Sequence, residues 1–269
     1  MAKKISLTPA LRQEYLDLFD TCSIRPGRMA AAEKILARIL SDRARYEKTS
    51  AQTGVPWAFV AVVHNMESDG RFDRHLHNGD PLTKRTVRVP PGRPKSGKPP
   101  FGWEESAADA LGLKGLGAGT DWSLPGTLYR LEAYNGWGYR QFHPHVKSPY
   151  LWSFSTHYDR GKYVSDGTWS ESARSQQCGA AVLLRRLAET GEVDFPDQPA
   201  PPPGAGPLVA AFSTRTPDDP AEAERARELQ RWLNTYPGVF VKVDGIPGRR
   251  TSEAYRKVTG GYLPGDPRS

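Results

Sequence analysis

The sequence predicts a mainly helical chain of α+β type, and three observations carry that prediction. Apolar residues recur at helical spacing through most of the 269 residues. The one stretch rich in hairpin signals is confined to about 71–102. A proline- and glycine-rich run at 192–220 then separates a long N-terminal part from a short helical C-terminal part. The expected organisation is a helical domain over 1–191 with a small β-hairpin insertion, a tether over 192–220, and a compact helical module over 221–269.

Residues 8–48 read as two helices, Pro9–Phe19 and Arg28–Tyr46, parted by Arg25-Pro26-Gly27. The second carries Ile35, Leu36, Ile39 and Leu40 on one face. A third helix runs through Val55–Ser68. Pro56 suits its first turn, and Asp69-Gly70 breaks it. Within 71–102, Asn78-Gly79 is a type I′ hairpin signal leading towards Thr86-Val87-Arg88-Val89. Pro90 to Pro100 reads as a basic loop. Further helices are expected at Glu104–Leu113, Leu124–Tyr134 and Ser172–Thr190, with an aromatic-rich stretch between the last two.

Composition narrows the function. The net charge is +7, and Arg71 to Lys98 holds eight Lys or Arg against Asp73 and Asp80. Such a surface favours an anionic polymer or lipid surface. No apolar run approaches the roughly 20 residues of a membrane span. The start, Met-Ala-Lys-Lys-Ile-Ser-Leu-Thr-Pro, lacks the apolar run of a secretory signal, so synthesis in a cytoplasm without a signal peptide is expected. Cys22 and Cys178, the only cysteines, are expected as buried thiols.

The most informative residue is Glu67, an acid at the end of an apolar helix on the stripe of Val60 and Val63. Partial burial and the negative end of the helix dipole both favour its neutral form. A carboxylic acid protonated near neutral pH is the group that cleaves a glycosidic bond. The plainer alternative is a helix-ending Glu turned into solvent. Asp80 is the expected second carboxylate, able to hold or activate water, although Asn-Gly-Asp-Pro is also good turn chemistry. Trp103, Trp122, Tyr134, Trp137, Tyr139, Tyr150 and Trp152 offer surfaces for sugar rings, about half of them expected to be core. His75-X-His77 and His143-X-His145 do not have a recognised zinc spacing, so neither a metal nor a cofactor is expected.

Taken together, Glu67-Ser68, then Ala133-Tyr134-Asn135-Gly136-Trp137, then Tyr158 and Tyr163, resemble the lysozyme-like superfamily of goose-type lysozymes and lytic transglycosylases, in a phage-endolysin-like form, over roughly 50–190. The resemblance implies Glu67 as catalytic acid and Tyr134 and Asn135 lining the sugar cleft. It also implies Tyr158 or Tyr163 bonded near the acid and Ser68 orienting substrate; Trp137, one of the aromatic surfaces above, is expected to contribute to substrate binding. Leu229-Gln230-X-X-Leu233-Asn234 followed by Val243-Asp244-Gly245-Ile246-Pro247-Gly248 and Thr251 resembles the peptidoglycan-binding three-helix module. That likeness implies wall binding through Leu229, Gln230, Asn234, Asp244 and Gly245.

The expected protein is thus a monomeric muramidase that reaches the wall after release from the cytoplasm. Its partner is bacterial peptidoglycan, with an anionic envelope surface as a further partner and no nucleic acid. Transglycosylation to a 1,6-anhydro product, a zinc amidase or peptidase, and a non-catalytic wall binder stay open as alternatives.

Overall fold

A computed structural model describes residues 5–165, 167–195 and 209–269. The chain is mainly helical, with one small two-stranded antiparallel sheet among the described residues. In order come α1 (Pro9–Asp20), a 3-10 turn (Pro26–Arg28), α2 (Met29–Ser41), α3 (Arg43–Thr53), α4 (Trp57–Ser68), α5 (Trp103–Leu113), α6 (Leu124–Asn135) and the short α7 (Gly138–Phe142) and α8 (Pro149–Trp152). The hairpin β1 (Lys162–Ser165) and β2 (Thr168–Ser170) follows, then α9 (Ala180–Glu189), α10 (Pro220–Leu233) and α11 (Arg249–Thr259). No helix among the described residues is long and apolar enough to cross a membrane.

The chain forms two compact units. One comprises residues 1–8 and 23–184, the other 9–22 and 185–269. The first helix, expected within the large domain, therefore groups with the smaller unit. The proline run Pro199–Gly204 of the expected tether lies outside the described residues.

The centre of the larger unit is α4, whose residues from Ala58 to Asn65 are all buried. A helix that is apolar on every side belongs inside a core. Its neighbours α3 and α6 pack on it, and α5 packs on α3. The turn into α4 depends on Gly54, which has φ +71; an added Cβ would lie 2.6–2.8 Å from Ala118. Only glycine meets both demands. At the other end Asp69 takes φ +55, and its N–H bonds the Asn65 carbonyl while Gly70 N–H bonds that of His64. Asp tolerates this left-handed position better than most residues. α6 starts on the Ser123 side chain, which accepts from Gly126 N–H at 3.1 Å.

Several elements differ from the sequence expectation. The single helix Arg28–Tyr46 is two, because Asp42 leaves helical geometry with ψ 6. The Asn78-Gly79 hairpin does not form as a type I′ turn. Only Gly79 of the pair has positive φ, and Asn78 Oδ1 accepts the Asp80 N–H at 3.0 Å, an Asx turn. What is left of β structure there is an isolated Arg74↔Pro81 bridge, while the hairpin stands at 162–170. The late helix begins at Ala180 rather than Ser172. Ser175 and Gln177 are held instead by Tyr158 and by the end of α4.

In the smaller unit, Ala226, Leu229, Leu233, Val239, Val241, Val258 and Leu263 form a continuous core. Asp219 caps α10 by accepting from Ala221 N–H at 2.9 Å. Both cysteines are buried free thiols, as expected.

Candidate active site

Glu67 occupies the last turn of α4. Val60 and Val63, fully buried on the same stripe, fix the helix face that carries it. Three surrounding elements close around its side chain and backbone. From α8, the Tyr150 hydroxyl donates to Glu67 Oε1 at 2.9 Å. From the 75–80 turn, Gly79 comes so near that an added Cβ would sit 3.3 Å from the Glu67 carbonyl oxygen. From the segment before α9, Gln177 Nε2 donates to the carbonyls of Met66 at 2.8 Å and Asn65 at 3.2 Å. Both carbonyls lie in the last turn of α4, where Asn65 also accepts the Asp69 N–H and Gln177 supplies a donor to Met66.

The electrostatics follow from this packing. Burial pushes the Glu67 pKa above its ordinary value, while the Tyr150 hydrogen bond and the positive charge of Lys114 pull against that shift. Burial, and then the neighbouring Glu67 carboxylate, push Tyr150 well above the ordinary tyrosine value. Tyr150 therefore stays a proton-bearing donor. With Oε1 accepting from Tyr150, Oε2 is the oxygen that carries the proton in the neutral acid. Tyr134 stands next to the acid: burial, then Glu67, raise its pKa. Its hydroxyl donates to the Leu76 carbonyl at 3.4 Å, and the Lys114 ammonium lies 4.6 Å from its ring centroid.

Of the residues the sequence singled out, Glu67 and Tyr134 come together here, with Asn135 exposed at the end of the Tyr134 helix. Others are placed elsewhere. Ser68 is buried, and its hydroxyl turns back to the His64 carbonyl at 3.2 Å. Trp137 is buried against Tyr129, with ring centroids 5.0 Å apart. Tyr158 bonds the Gly161 carbonyl and accepts from Ser175 N–H, which organises the loop after β2. Tyr163 packs edge-on against Tyr139, His143 and Trp169. The hydrogen bond expected from Tyr158 or Tyr163 is supplied by Tyr150. No local signal marks Tyr150 for that role, since it lies 83 residues from Glu67.

Asp80 is engaged in a different task. It is buried, and Oδ2 accepts from Val87 N–H at 2.8 Å, Arg88 N–H at 3.1 Å and the Asn78 amide at 3.2 Å. The Arg88 guanidinium stands 3.4 Å from Oδ1. Burial alone would raise its pKa, but the two backbone N–H groups, Arg88 and Asn78 together hold it below the usual carboxylate value. A carboxylate with low basicity and occupied lone pairs is a loop staple and a poor activator of water.

The histidines are likewise committed. His75 lies between the Ser106 hydroxyl at 2.6 Å and the Lys84 carbonyl at 2.7 Å, and His77 meets Asp109 at 2.7 Å. His143 stacks on Trp169 at 3.5 Å. No group of three or more metal-ligating side chains is assembled among the described residues.

In the smaller unit, the motif residues expected to meet the wall form the frame instead. Leu229 is core, and Gln230 is buried with both ends of its amide bonded. Asn234 pairs with both backbone groups of Val241 at 2.8 Å, and the Asp244 carboxylate accepts from Ile246 N–H at 2.9 Å. Gly245 turns the chain at φ +79.

No family model, no curated protein and no solved structure matches this chain. Its chemistry is therefore read from the site itself.

Tyr150→Phe is expected to leave the fold intact and raise the pKa of the Glu67 carboxyl further. The lost hydroxyl stabilises the carboxylate, so its removal raises the Glu67 pKa further and keeps the acid protonated to a higher pH. Titration of the Glu67 carboxyl in wild type and variant, followed by NMR, checks this; a shift to lower pH contradicts it.

Proposed function

We propose that this chain cleaves the glycan strand of peptidoglycan, with Glu67 delivering a proton to the glycosidic oxygen. One observation carries the reading: a desolvated carboxyl at the end of a buried helix, with one oxygen bonded by Tyr150 and Tyr134 beside it. Burial prepares the acid, Tyr150 fixes its rotamer, and Lys114 limits the rise in pKa. The motif order Glu67-Ser68, Ala133-Tyr134-Asn135 supports the same assignment by its likeness to goose-type lysozymes and lytic transglycosylases.

Two product chemistries divide on the second carboxylate. In a hydrolase a second acid places water on the far face of the sugar. The engagement of Asp80 by Val87 and Arg88 favours the other course, in which Glu67 works alone and the 6-hydroxyl of muramic acid attacks. The proton given to the leaving oxygen is then replaced by the one taken from that hydroxyl, so Glu67 serves as acid and then base. The smaller unit would hold the enzyme on the wall and raise its local concentration.

Mass spectrometry of digested peptidoglycan tests the proposal. The expected products carry 1,6-anhydro ends. Reducing muramic-acid ends would move the assignment to a muramidase, and freed stem peptides on intact glycan would overturn the glycan-cleaving reading.

A further inference from the structure

The two most exposed large apolar side chains among the described residues, Val89 at 85% and Val87 at 76%, stand one residue apart on the same loop. Isolated exposed valines are common on any surface. This pair differs in being presented by a built scaffold. The Asp80 carboxylate holds Val87 and Arg88 by their N–H groups. Just before the tip, Thr86 is buried; its N–H donates to the Arg93 carbonyl, its hydroxyl accepts from Arg93 N–H, and its carbonyl accepts from Gly92 N–H. Arg93 in turn is clamped by two hydrogen bonds to Asp109, at 2.6 and 2.9 Å. A buried carboxylate, a buried threonine and a bidentate ion pair thus hold a tip whose outer face is apolar.

Apart from the buried Asp80 that faces Arg88, and Asp109 that pairs with Arg93, the segment that builds this tip carries charge of one sign. From Pro81 to Gly102 there are six Lys or Arg and no Asp or Glu. Arg85 is turned inward onto the Gly97 carbonyl and Arg93 onto Asp109, while Lys84, Arg88, Lys95 and Lys98 are exposed. Cations alone would suit any polyanion. Apolar side chains held out among them suit a partner with an anionic surface over an apolar interior, which is a lipid bilayer bearing acidic headgroups.

We propose that Val87-Arg88-Val89 is a preformed contact for an anionic lipid bilayer, the valines entering the headgroup–acyl boundary while Arg88, Lys84, Lys95 and Lys98 meet lipid phosphates. Two valines bury too little area to anchor the chain alone, so binding requires both terms and weakens steeply with salt. This contact is independent of glycan cleavage: membrane binding and product chemistry are read in separate assays, and either can fail without the other.

Cosedimentation of the full chain with vesicles tests it. Wild type is expected to bind vesicles of phosphatidylglycerol and phosphatidylcholine about tenfold better than phosphatidylcholine alone. Val87→Ser combined with Val89→Ser keeps the charge and is expected to weaken binding about fivefold or more. Since both side chains are exposed, its circular dichroism and melting should match wild type. As a second readout, Val89→Trp should add blue-shifted emission when anionic vesicles are mixed in. Equal binding to both vesicle types, no emission shift, or serine variants that bind as wild type overturns the proposal. The last outcome, together with equal affinity for DNA, would mark a charge-only polyanion site.

Discussion

Glu67→Gln is expected to lower peptidoglycan cleavage by about a thousandfold while leaving the fold intact. Glutamine keeps the shape and retains an acceptor for the Tyr150 hydroxyl, so the helix end and its packing persist. What it removes is the transferable proton on the second oxygen. Stability should hold or rise near neutral pH, and the sign follows from linkage. The folded pKa of Glu67 lies above its unfolded value, so between the two the native state binds more protons. Stability is then lost as pH rises through that window, and an uncharged glutamine does not incur this loss. Turbidity clearing of wall preparations, with a denaturation curve alongside, measures both halves. Full activity in the variant would remove Glu67 from the chemistry.

The second large effect lies in the smaller unit. Gln230→Ala is expected to destabilise that unit by about 2–4 kcal/mol, since each buried backbone donor left without an acceptor costs roughly 1–3 kcal/mol. The Gln230 amide nitrogen donates to the Asp244 carboxylate, the Ile246 carbonyl and the Thr251 hydroxyl at 2.9–3.2 Å. Its oxygen accepts from Asp244 and Gly245 N–H at 3.0 and 2.9 Å. Alanine leaves the Asp244 and Gly245 N–H groups without their acceptor, while the Ile246 carbonyl keeps Gly248 N–H and the Asp244 carboxylate keeps Ile246 N–H. Hydrogen exchange of the Asp244 and Gly245 amides reads the effect directly and should show loss of protection beyond that of α11. Gln230→Glu is expected to fare little better, because it keeps an acceptor but loses the donors and sets a carboxylate against Asp244. Unchanged protection in Gln230→Ala would show that the turn holds without this side chain.

These two residues show different degrees of legibility. Glu67 could be picked out because helical periodicity and polarity are local properties: an acid seven residues after Val60 and four after Val63 shares their face in any α-helix. Its partner Tyr150 could not, because two residues 83 positions apart meet only through the packing of α8 on α6 and of α6 on α4. Lys114 is likewise unmarked in its own neighbourhood. Gln230 was legible as part of a motif but not in its role. The pattern that suggested contact with a wall is the pattern needed to tie the Asp244–Ile246 turn to α10.

Errors in the local reading have two origins. Asn78-Gly79 has the composition of a type I′ turn, yet the Asn78 side chain is taken by Asp80, which is itself stapled to Val87 and Arg88. Ser172 to Cys178 has no strong helix breaker, but Tyr158 and the carbonyls of α4 compete for Ser175 and Gln177. The first is a local side-chain bond competing with the turn, and the second is a partner distant in sequence overriding helix propensity.

Residue order, through periodicity and turn chemistry, was enough for the mainly helical class, the buried character of α4, the acid at its end and the helical C-terminal unit. Three things came only from the folded chain: the hydroxyl that bonds the acid, the withdrawal of Asp80 from any part in handling water, and the exposed valine tip. The hydroxyl comes from 83 residues away, whereas the contacts of Asp80 and of the valine tip span only 2 to 16 residues. In all three the packed structure decides which of several competing partners a polar group takes and which side chains stay exposed.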